Sequence, residues 1–207
     1  NLSDPTAGAQ QLVMRSASPP FGLLWRRHSP SSTLNLASGG GTVAFQSNAI
    51  VAMVQDPTTQ AGGVAGFDAK TGATLWQEFQ WAATNNFDFS TTMGRRTVSP
   101  YAFSLESFGD FTQSRLTAFS ARTGAKKWAT NVTAGVPNLL PAGSERIFAC
   151  GNNELVALDV ESGEINWSVA FPNAVQNIGN TVYSAADNAW LMVIGNSDVG
   201  GVYCYFA

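Results

Sequence analysis

The side chains able to act as acids, bases or nucleophiles are few in this chain. Its single histidine, His28, follows two arginines, and no serine or cysteine stands in a nucleophile-elbow sequence that a histidine base would serve. We interpret His28 as a surface or packing residue. One histidine also leaves no multi-histidine metal site, so nucleophilic hydrolysis and zinc chemistry are both disfavoured.

Carboxylates offer a second kind of chemistry. Asp68 and Asp159 stand at the same position of two similar segments, "FDAKTG" and "LDVESG", which favours hydrogen bonding within a turn over a pair of catalytic acids. The segment "DNAWLMVIGNSD" (187–198) has Asp and Asn at both ends, but it lacks the spacing and the glycine of a known calcium loop. The sequence therefore predicts no catalytic residue, no metal site and no cofactor, and it favours a protein that is not an enzyme.

A cluster of aromatic and amide side chains is the best candidate for a binding site. Its members, most of them in "FQWAATNNFDF" (79–89), are Trp81, Asn85, Asn86, Phe87, Asp88 and, from a later segment, Trp190. Aromatic rings stack on the flat faces of sugars or peptides, and amides fix the orientation of such ligands. We expect this set to contact a protein or a glycan. The alternative is that the rings cover the open side of a sheet.

The two cysteines, Cys150 and Cys204, lie in apolar strand-like stretches. They permit one disulfide, but a free buried cysteine is equally natural there, and both alternatives stay open. Sequons for N-glycosylation occur at Asn1, Asn131 and Asn166, a number that chance alone explains in a chain this rich in Asn, Ser and Thr. Glycosylation at Asn131 and Asn166, and a secreted or extracytoplasmic location, are expectations.

Composition limits the remaining classes. The 207 residues are 44% hydrophobic, enough for a single well-buried domain over 1–207, and only 12% charged, which is typical of strands and turns. The net charge of -3 and the scattered pairs of cations give no basic surface for nucleic acid. No apolar run approaches the ~20 residues that cross a bilayer, so we predict no membrane span.

A repeated hairpin is the element that would position the candidate residues. The segment "GFDAKTGATLW" (66–76) recurs as "AFSARTGAKKW" (118–128) and as "ALDVESGEINW" (157–167). The hydroxyl residue, the glycine and the tryptophan are in register in all three copies. Three matches at fixed positions indicate a structural unit that the chain repeats.

The chemistry of each copy predicts two strands joined by a tight link. The glycines Gly72, Gly124 and Gly163 fall where a hairpin with a bulge needs a positive φ, and the Thr or Ser before each can bond the turn backbone. Each copy ends in a tryptophan whose flat apolar surface a two-stranded hairpin cannot bury by itself. These structural tryptophans are Trp76, Trp128 and Trp167.

The spacing of the tryptophans indicates a propeller. They are about 52 and then 39 residues apart, close to the roughly 40 to 50 residues of a four-stranded propeller blade, and another strand-like pair precedes each hairpin. We predict an all-β fold, a WD40-like four-bladed β-propeller of four-stranded antiparallel blades. The predicted blades cover roughly 26–76, 77–128, 129–167, and 168–207 with 20–25.

The two ends of the chain complement each other. The last segment, "GGVYCYFA" (200–207), aligns with the first half of the hairpin, "GGVAGFDA" (62–69). The segment "FGLLWRR" (21–27) aligns with the second half, with Trp25 at the position of Trp76. We therefore predict that the N-terminal strand pairs with the C-terminal blade. This pairing closes the ring, removes an exposed sheet edge and adds a fourth interblade tryptophan.

The repeat resembles that of the quinoprotein (PQQ) β-propeller family, in which an apolar strand ending in Ala-Leu-Asp is followed by a Thr-Gly turn and a tryptophan. "ALDVESGEINW" is the closest copy, whereas "AFSARTGAKKW" has Ser120 where Asp68 and Asp159 stand. The resemblance covers nearly the whole chain, from about residue 20, and implies the propeller fold. The family contains PQQ- and calcium-dependent dehydrogenases as well as non-enzymatic scaffold proteins, so the fold alone does not choose an activity.

The sequence departs from the motifs of the dehydrogenases, and these departures count against quinone chemistry. Those enzymes have an adjacent cysteine pair and an Asp base beside a Glu/Asn/Asp calcium site, whereas the two cysteines here are far apart in sequence and no segment matches either motif. We predict a non-catalytic binding or scaffold propeller that recognises a protein or a glycan through loops on one face. The alternatives are a degenerate quinoprotein-type enzyme and a structural subunit of a larger extracellular assembly, including a homo-oligomer.

Overall fold

The computed structural model describes residues 11–15, 22–28, 35–36, 44–56, 58–59, 61–81, 100–108, 113–132, 138–142, 145–151, 154–170, 177–184, 189–195 and 202–206. The strands in chain order are β1 (Gln11–Arg15), β2 (Leu23–His28), β3 (Asn35–Leu36), β4 (Ala44–Gln46), β5 (Ala49–Gln55), β6 (Gly62–Asp68), β7 (Thr74–Trp81), β8 (Tyr101–Phe108), β9 (Gln113–Ser120), β10 (Lys126–Val132), β11 (Asn138–Ala142), β12 (Arg146–Gly151), β13 (Glu154–Asp159), β14 (Ile165–Ala170), β15 (Asn177–Ser184), β16 (Ala189–Gly195) and β17 (Val202–Phe206). No helix occurs in these residues, and the all-β prediction is confirmed.

The strands form antiparallel sheets whose members are close in sequence. The sheets are β1-β2, then β3-β5-β6-β7 with β4 also paired to β5, then β8-β9-β10, β11-β12-β13-β14, and β15-β16-β17. They fall into two compact units: the first contains β1 to β7 together with turn residues Ala121–Gly124, and the second contains β8 to β17. Within the described ranges no helix has the length and apolar character that a membrane span requires.

The first unit is built around strands β5 and β6. Nearly every residue of these two strands is buried, because both of their faces are covered. Their apolar residues therefore follow one another without the alternation of a half-exposed strand. Ile50, Val54 and Phe67 form one cluster with Trp25 of β2, and Met14 of β1 packs against it. Trp25 and Met14 are also opposite each other in the β1-β2 pair.

The second unit has its core on strands β8, β9, β12 and β13. Phe103, Leu116, Ile147 and Leu158 belong to one buried cluster, against which the half-buried Trp128 packs. Strands β10 and β14 are the last strands of their sheets, and their side chains alternate between exposed and half-buried. They therefore present one face to the core and one to solvent.

The described strands near the two ends of the chain pair within their own sheets. Strand β2 pairs with β1, and β17 pairs with β16 at the side of a three-stranded sheet. The predicted pairing of β2 with β17 does not occur among the described strands. Strand β1 carries no repeat signature, yet its five residues take one edge of β2 and satisfy its backbone groups. The number of blades and the closure of a ring therefore stay predictions.

Candidate functional site

The link between β6 and β7 is a turn held by a carboxylate and a hydroxyl. Oδ1 of Asp68 accepts hydrogen bonds from the backbone N–H of Lys70 at 3.0 Å and of Thr71 at 2.9 Å, and from the Thr71 hydroxyl at 3.0 Å. Oγ1 of Thr71 in turn accepts from the N–H of Ala73 at 3.3 Å. Asp68 is thus used by the turn, as its repeat position indicated.

The same turn is built twice more in the described residues. Between β13 and β14, Oδ1 of Asp159 accepts from the N–H of Glu161 at 2.9 Å and from the N–H and hydroxyl of Ser162 at 2.7 and 3.0 Å. Between β5 and β6, Oδ1 of Asp56 accepts from the N–H of Thr58 and of Thr59 at 2.8 and 2.6 Å. Sequence reasoning missed this last copy, although "DPTTQA" repeats the Asp, Thr and Ala spacing of "DAKTGA".

These bonds favour the charged form of each carboxylate. The backbone N–H of Thr71, followed by its hydroxyl, lowers the pKa of Asp68 below the ordinary aspartate value. The backbone N–H of Ser162 is the largest cause of the lowered pKa of Asp159. Ionised acids that serve as hydrogen-bond acceptors are committed to the turn, and they are unsuited to donate or take a proton near neutral pH.

A change of the Asp159 carboxylate tests this role. Because its pKa is lower in the folded than in the unfolded state, the charge contributes stability above the unfolded pKa, and this contribution is lost as pH falls through the folded pKa. Asp159→Asn is therefore expected to be less stable than the wild type above about pH 5, and the difference is expected to shrink as pH falls below about 4. Urea unfolding across this pH range measures the difference.

The matched control for that change is Glu164→Gln, which removes an exposed carboxylate from the same turn while keeping the backbone bonds that residue 164 makes. We expect Glu164→Gln to follow the wild-type pH profile. A stability difference between Asp159→Asn and wild type that stays constant from pH 2 to 7 would show that the charge of Asp159 is not what the turn uses.

Each turn with a positive-φ glycine also receives a tryptophan from an earlier strand. The indole N–H of Trp25 donates to the carbonyl of Ala69 at 2.8 Å, that of Trp76 to Ala121 at 2.9 Å, and that of Trp128 to Val160 at 2.8 Å. The glycine three residues after each acceptor lies under the indole ring. We call each such arrangement, an indole on a carbonyl and a glycine, a tryptophan socket.

Two physical requirements make glycine necessary in the sockets. Gly72, Gly124 and Gly163 have φ angles of 71°, 72° and 72°, in the left-handed region that other residues enter at a cost. A Cβ atom at any of them would also lie within 2.8 Å of an indole carbon, closer than van der Waals contact permits. The repeated glycine and tryptophan are thus partners that neighbouring repeats contribute. Each tryptophan precedes the residue whose carbonyl it bonds by 44, 45 or 32 positions in the sequence.

Trp167 packs within its own sheet in the same way as Trp128. The ring of Trp128 lies 5.8 Å from that of Phe103, and the ring of Trp167 lies 5.8 Å from that of Phe148. Each tryptophan also stands opposite an alanine of the neighbouring strand, Ala118 or Ala157 in the two cases. Trp167 therefore has the orientation that a socket requires from its own sheet.

Exposed side chains surround the sockets of the first unit. Leu24, next to Trp25, is 57% exposed, and Leu75, next to Trp76, is 36% exposed. Lys70 and Arg122 are the exposed residues that follow the two acceptor carbonyls of Ala69 and Ala121. We call Leu24, Lys70, Leu75 and Arg122 the turn rim. Leu24 and Leu75 lie on β2 and β7, directly before the socket tryptophans, and Lys70 and Arg122 lie on the turns to which those tryptophans are hydrogen-bonded.

The second unit carries different chemistry at the corresponding positions. Glu161 corresponds to Lys70, and Lys127 corresponds to Leu75. Nζ of Lys127 lies 3.7 Å from Oε2 of Glu161 and 5.8 Å from the ring centre of Tyr101, whose hydroxyl donates to the same carboxylate oxygen at 3.1 Å. These charges partner each other, and an exposed pair of this kind adds little stability.

The residues predicted to bind a ligand lie largely outside the described part of the chain. The backbone of Trp81 ends β7 and that of Trp190 lies in β16, opposite Tyr183, but their side chains are outside the description. Asn85, Asn86, Phe87 and Asp88 lie outside it entirely. The structure therefore leaves this candidate site as a prediction.

The remaining candidate residues are placed by backbone or by exposure. Cys150 lies in β12 and Cys204 in β17, with side chains outside the described set, so the disulfide stays open. Asn131 on β10 and Asn166 on β14 have exposed side chains, which is what glycosylation requires. His28 ends β2. Within the residues described, no three His, Cys, Asp or Glu side chains come together as a metal site.

Known proteins share this repeat and this fold. Residues 112–198 match the model of a PQQ-repeat family described as outer membrane protein assembly factor BamB. The structure is similar to that of BamB from Moraxella catarrhalis, with a TM-score of 0.50, 16% identity, and coverage of 84% of this chain and 50% of that one. It is also similar to the computationally designed Ika4 protein, with a TM-score of 0.55, 15% identity, and coverage of 82% and 92%. The resemblance to a PQQ-type β-propeller is confirmed.

Part of the chain is also similar in sequence to a protein kinase. The serine/threonine-protein kinase AfsK of Streptomyces griseus is 26% identical over 120 residues, which are 55% of this chain. The match spans 14% of the length of AfsK, the curated relative, and the chain covers half of the BamB structure. Proteins similar to this chain thus have names that describe different activities, and the similarity alone does not assign one.

Proposed function

Since residues 112–198 carry the repeat of the PQQ-type propeller family, we propose that this chain is a non-catalytic propeller module that binds a protein partner through the loops of its hairpins. The observation that carries the proposal is the turn rim, where exposed leucines of β2 and β7 precede the socket tryptophans and exposed cations stand on the turns to which those tryptophans are hydrogen-bonded. Rigid presentation lowers the entropy lost on binding, and large apolar side chains supply the contact area.

The description of the matching family supports the choice of a protein partner. An assembly factor for outer membrane proteins acts with other proteins, and the family model covers the hairpin of the second repeat and all of the third. The same description supports an extracytoplasmic location. In such a location the exposed Asn131 and Asn166 are open to glycosylation, and Cys150 with Cys204 to oxidation.

A second loop surface belongs to the proposal. It consists of the predicted contact residues Trp81, Asn85, Asn86, Phe87, Asp88 and Trp190. Strand β7 begins just after the turn at Gly72 and ends at Trp81, so its eight residues separate that turn from Trp81 by roughly 25 Å. A partner seated on the turn rim and one seated on the loop after Trp81 can therefore be told apart by experiment.

Site-specific cross-linking in the native host tests the proposal. A photo-reactive amino acid is placed in the full-length protein at Leu75 of the turn rim or at Asn86 of the second loop surface. The matched control position is Asn166, which is exposed on β14 and belongs to neither surface. We expect one of the two test positions, and not Asn166, to capture a defined protein identified by mass spectrometry.

Two other outcomes would contradict the protein-binding proposal. Cross-linking at the same background level from all three positions would contradict the proposal that the chain binds a protein. Capture of material that glycosidases digest would replace the protein partner with a glycan. A cross-link between two copies of the chain, together with a doubled mass in solution, would instead support the structural-subunit alternative.

A further inference from the structure

We propose that the turn rim of the first unit binds a peptide segment of a protein partner that combines carboxylates with large apolar side chains. This inference rests on the proposed protein-binding function and names the chemistry of the partner. It concerns Leu24, Lys70, Leu75 and Arg122, which contribute to neither the core clusters nor the bonds of the sockets through their side chains.

In the second unit the residue before a socket tryptophan lies beside the turn that this tryptophan covers, because Lys127, which precedes Trp128, lies 3.7 Å from Glu161. The indole of Trp25 lies on the turn that contains Lys70, so its neighbour Leu24 lies beside that turn. Leu75 follows the same turn along the chain and precedes Trp76. The indole of Trp76 lies in turn on the carbonyl of Ala121, the residue before Arg122. By correspondence with Lys127 and Glu161, the rim consists of two pairs, Leu24 with Lys70 and Leu75 with Arg122.

Exposed leucines of the turn rim indicate that the partner peptide carries large apolar side chains. Leu24 is 57% exposed and Leu75 is 36% exposed, and the neighbouring Leu23 is 48% exposed. Leu24 and Leu75 are exposed at the same position of two repeats, directly before a socket tryptophan, which distinguishes them from the scattered single apolar residues of an ordinary surface. They favour a partner that covers them with its own large apolar side chains.

Two exposed cations of the turn rim indicate that the partner peptide carries carboxylates. Lys70 and Arg122 are exposed, and neither makes an ion pair within the described residues. Arg122 is close enough to Asp68 to act on its carboxylate, but that carboxylate already accepts three hydrogen bonds inside the turn. A chain with a net charge of -3 thus places cations at this edge, which attract carboxylates of a partner.

The second unit shows that the arrangement is not a requirement of the fold. At the positions of Leu75 and Lys70 it has Lys127 and Glu161, which partner each other at 3.7 Å. The same turn and the same socket are built there. Lysine in place of leucine and glutamate in place of lysine are therefore compatible with folding, and they provide substitutions that the repeat itself already contains.

Peptides of defined charge test the inference. The probes are two fluorescein-labelled ten-residue peptides, one alternating leucine with glutamate and the other alternating leucine with lysine. Fluorescence anisotropy with the full-length protein is expected to show at least tenfold tighter binding of the glutamate peptide, with affinity falling as salt is raised. Equal binding of both peptides, or no binding of the glutamate peptide, would overturn the inference.

Variants locate the binding. Lys70→Glu combined with Arg122→Glu, which introduces the residue type of Glu161, is expected to reverse the preference between the two peptides. Leu24→Gln combined with Leu75→Gln removes the apolar contacts without changing the charge, and it is expected to weaken binding of the glutamate peptide at least tenfold. The matched controls in the second unit are Lys126→Glu and Ile165→Gln, both at exposed positions, and they should leave binding unchanged. Unchanged binding in the rim variants, or loss in the controls, would place the peptide elsewhere.

Failure here and failure of the proposed function give different results. If the cross-linking experiment captures a protein at Asn86 but not at Leu75, the chain binds a protein and the turn rim is not its surface. If no position captures a protein, both the proposed protein-binding function and the inference about the turn rim are wrong. Circular dichroism and the urea midpoint of each variant confirm that a lost interaction is not a lost fold.

Discussion

Gly163→Ala is expected to destabilise the protein by ~2–4 kcal/mol, although it adds a single methyl group to an exposed turn. The backbone at this residue has φ of 72°, where alanine costs ~1–2 kcal/mol relative to glycine. The added Cβ would also lie within 2.8 Å of three ring atoms of Trp128, so the indole must move away. Its bond of 2.8 Å to the Val160 carbonyl is then lost.

Urea unfolding and tryptophan fluorescence measure this effect together. We expect a lower unfolding midpoint and a red-shifted emission in the native state, because the displaced indole meets water. The control is Gly22→Ala, since a Cβ at that exposed glycine has no heavy atom within 4 Å. Gly22→Ala should match the wild type in both signals. An unfolding midpoint for Gly163→Ala equal to that of Gly22→Ala would mean that the socket does not constrain the turn.

The hairpins could be predicted because their chemistry is local. The carboxylate, hydroxyl and glycine that build a turn lie within six consecutive residues, as in "DAKTGA", so a repeat of those residues is a repeat of the structure. The all-β fold followed from the same pattern. In contrast, the sequence does not show which glycine each tryptophan covers, because the two are contributed by different repeats.

Non-local packing also explains two details that the repeat hides. Gly66 stands where the other copies have Ala118 and Ala157, and a Cβ at Gly66 would collide with the indole of Trp76. The difference looks neutral in an alignment and becomes meaningful only when the ring is placed. The strand at Gln11–Arg15 has no repeat signature, so the sequence did not predict its pairing with β2, and the closure with the last strand stays a prediction.

The candidate site also has features that the sequence predicts and features that only the structure shows. An apolar residue before a tryptophan in a strand reads as core, and only the structure shows that Leu24 and Leu75 are exposed while Trp25 is 9% exposed. The pairing of Lys127 with Glu161 likewise joins a strand of one sheet to a turn of another sheet. The aromatic and amide loop after Trp81 was selected by residue type alone, and it stays a prediction of the sequence.

Trp25→Ala is expected to cost ~3–5 kcal/mol, the usual range for emptying a buried aromatic site. Trp25 belongs to the cluster of Ile50, Val54 and Phe67, and it holds the two-stranded β1-β2 sheet against that cluster with help from Met14. A two-stranded sheet is marginal in water without such packing. Removal of the indole should therefore release β1 and β2 as a unit as well as lower the overall stability.

Hydrogen exchange separates these two consequences. In Trp25→Ala the backbone amides of Gln11–Arg15 and Leu23–His28 are expected to exchange at nearly unprotected rates in native buffer, while the amides of β12 and β13 in the second unit keep their protection. Leu24→Ala, at a neighbouring residue that is 57% exposed, should leave exchange and stability unchanged. Trp25→Phe keeps an aromatic ring but leaves the Ala69 carbonyl without its N–H donor, and we expect it to cost ~1 kcal/mol with β1 and β2 still protected. Full protection of β1 and β2 in Trp25→Ala would mean that contacts other than the socket hold them, and that the turn at Gly72 does not depend on the tryptophan that covers it.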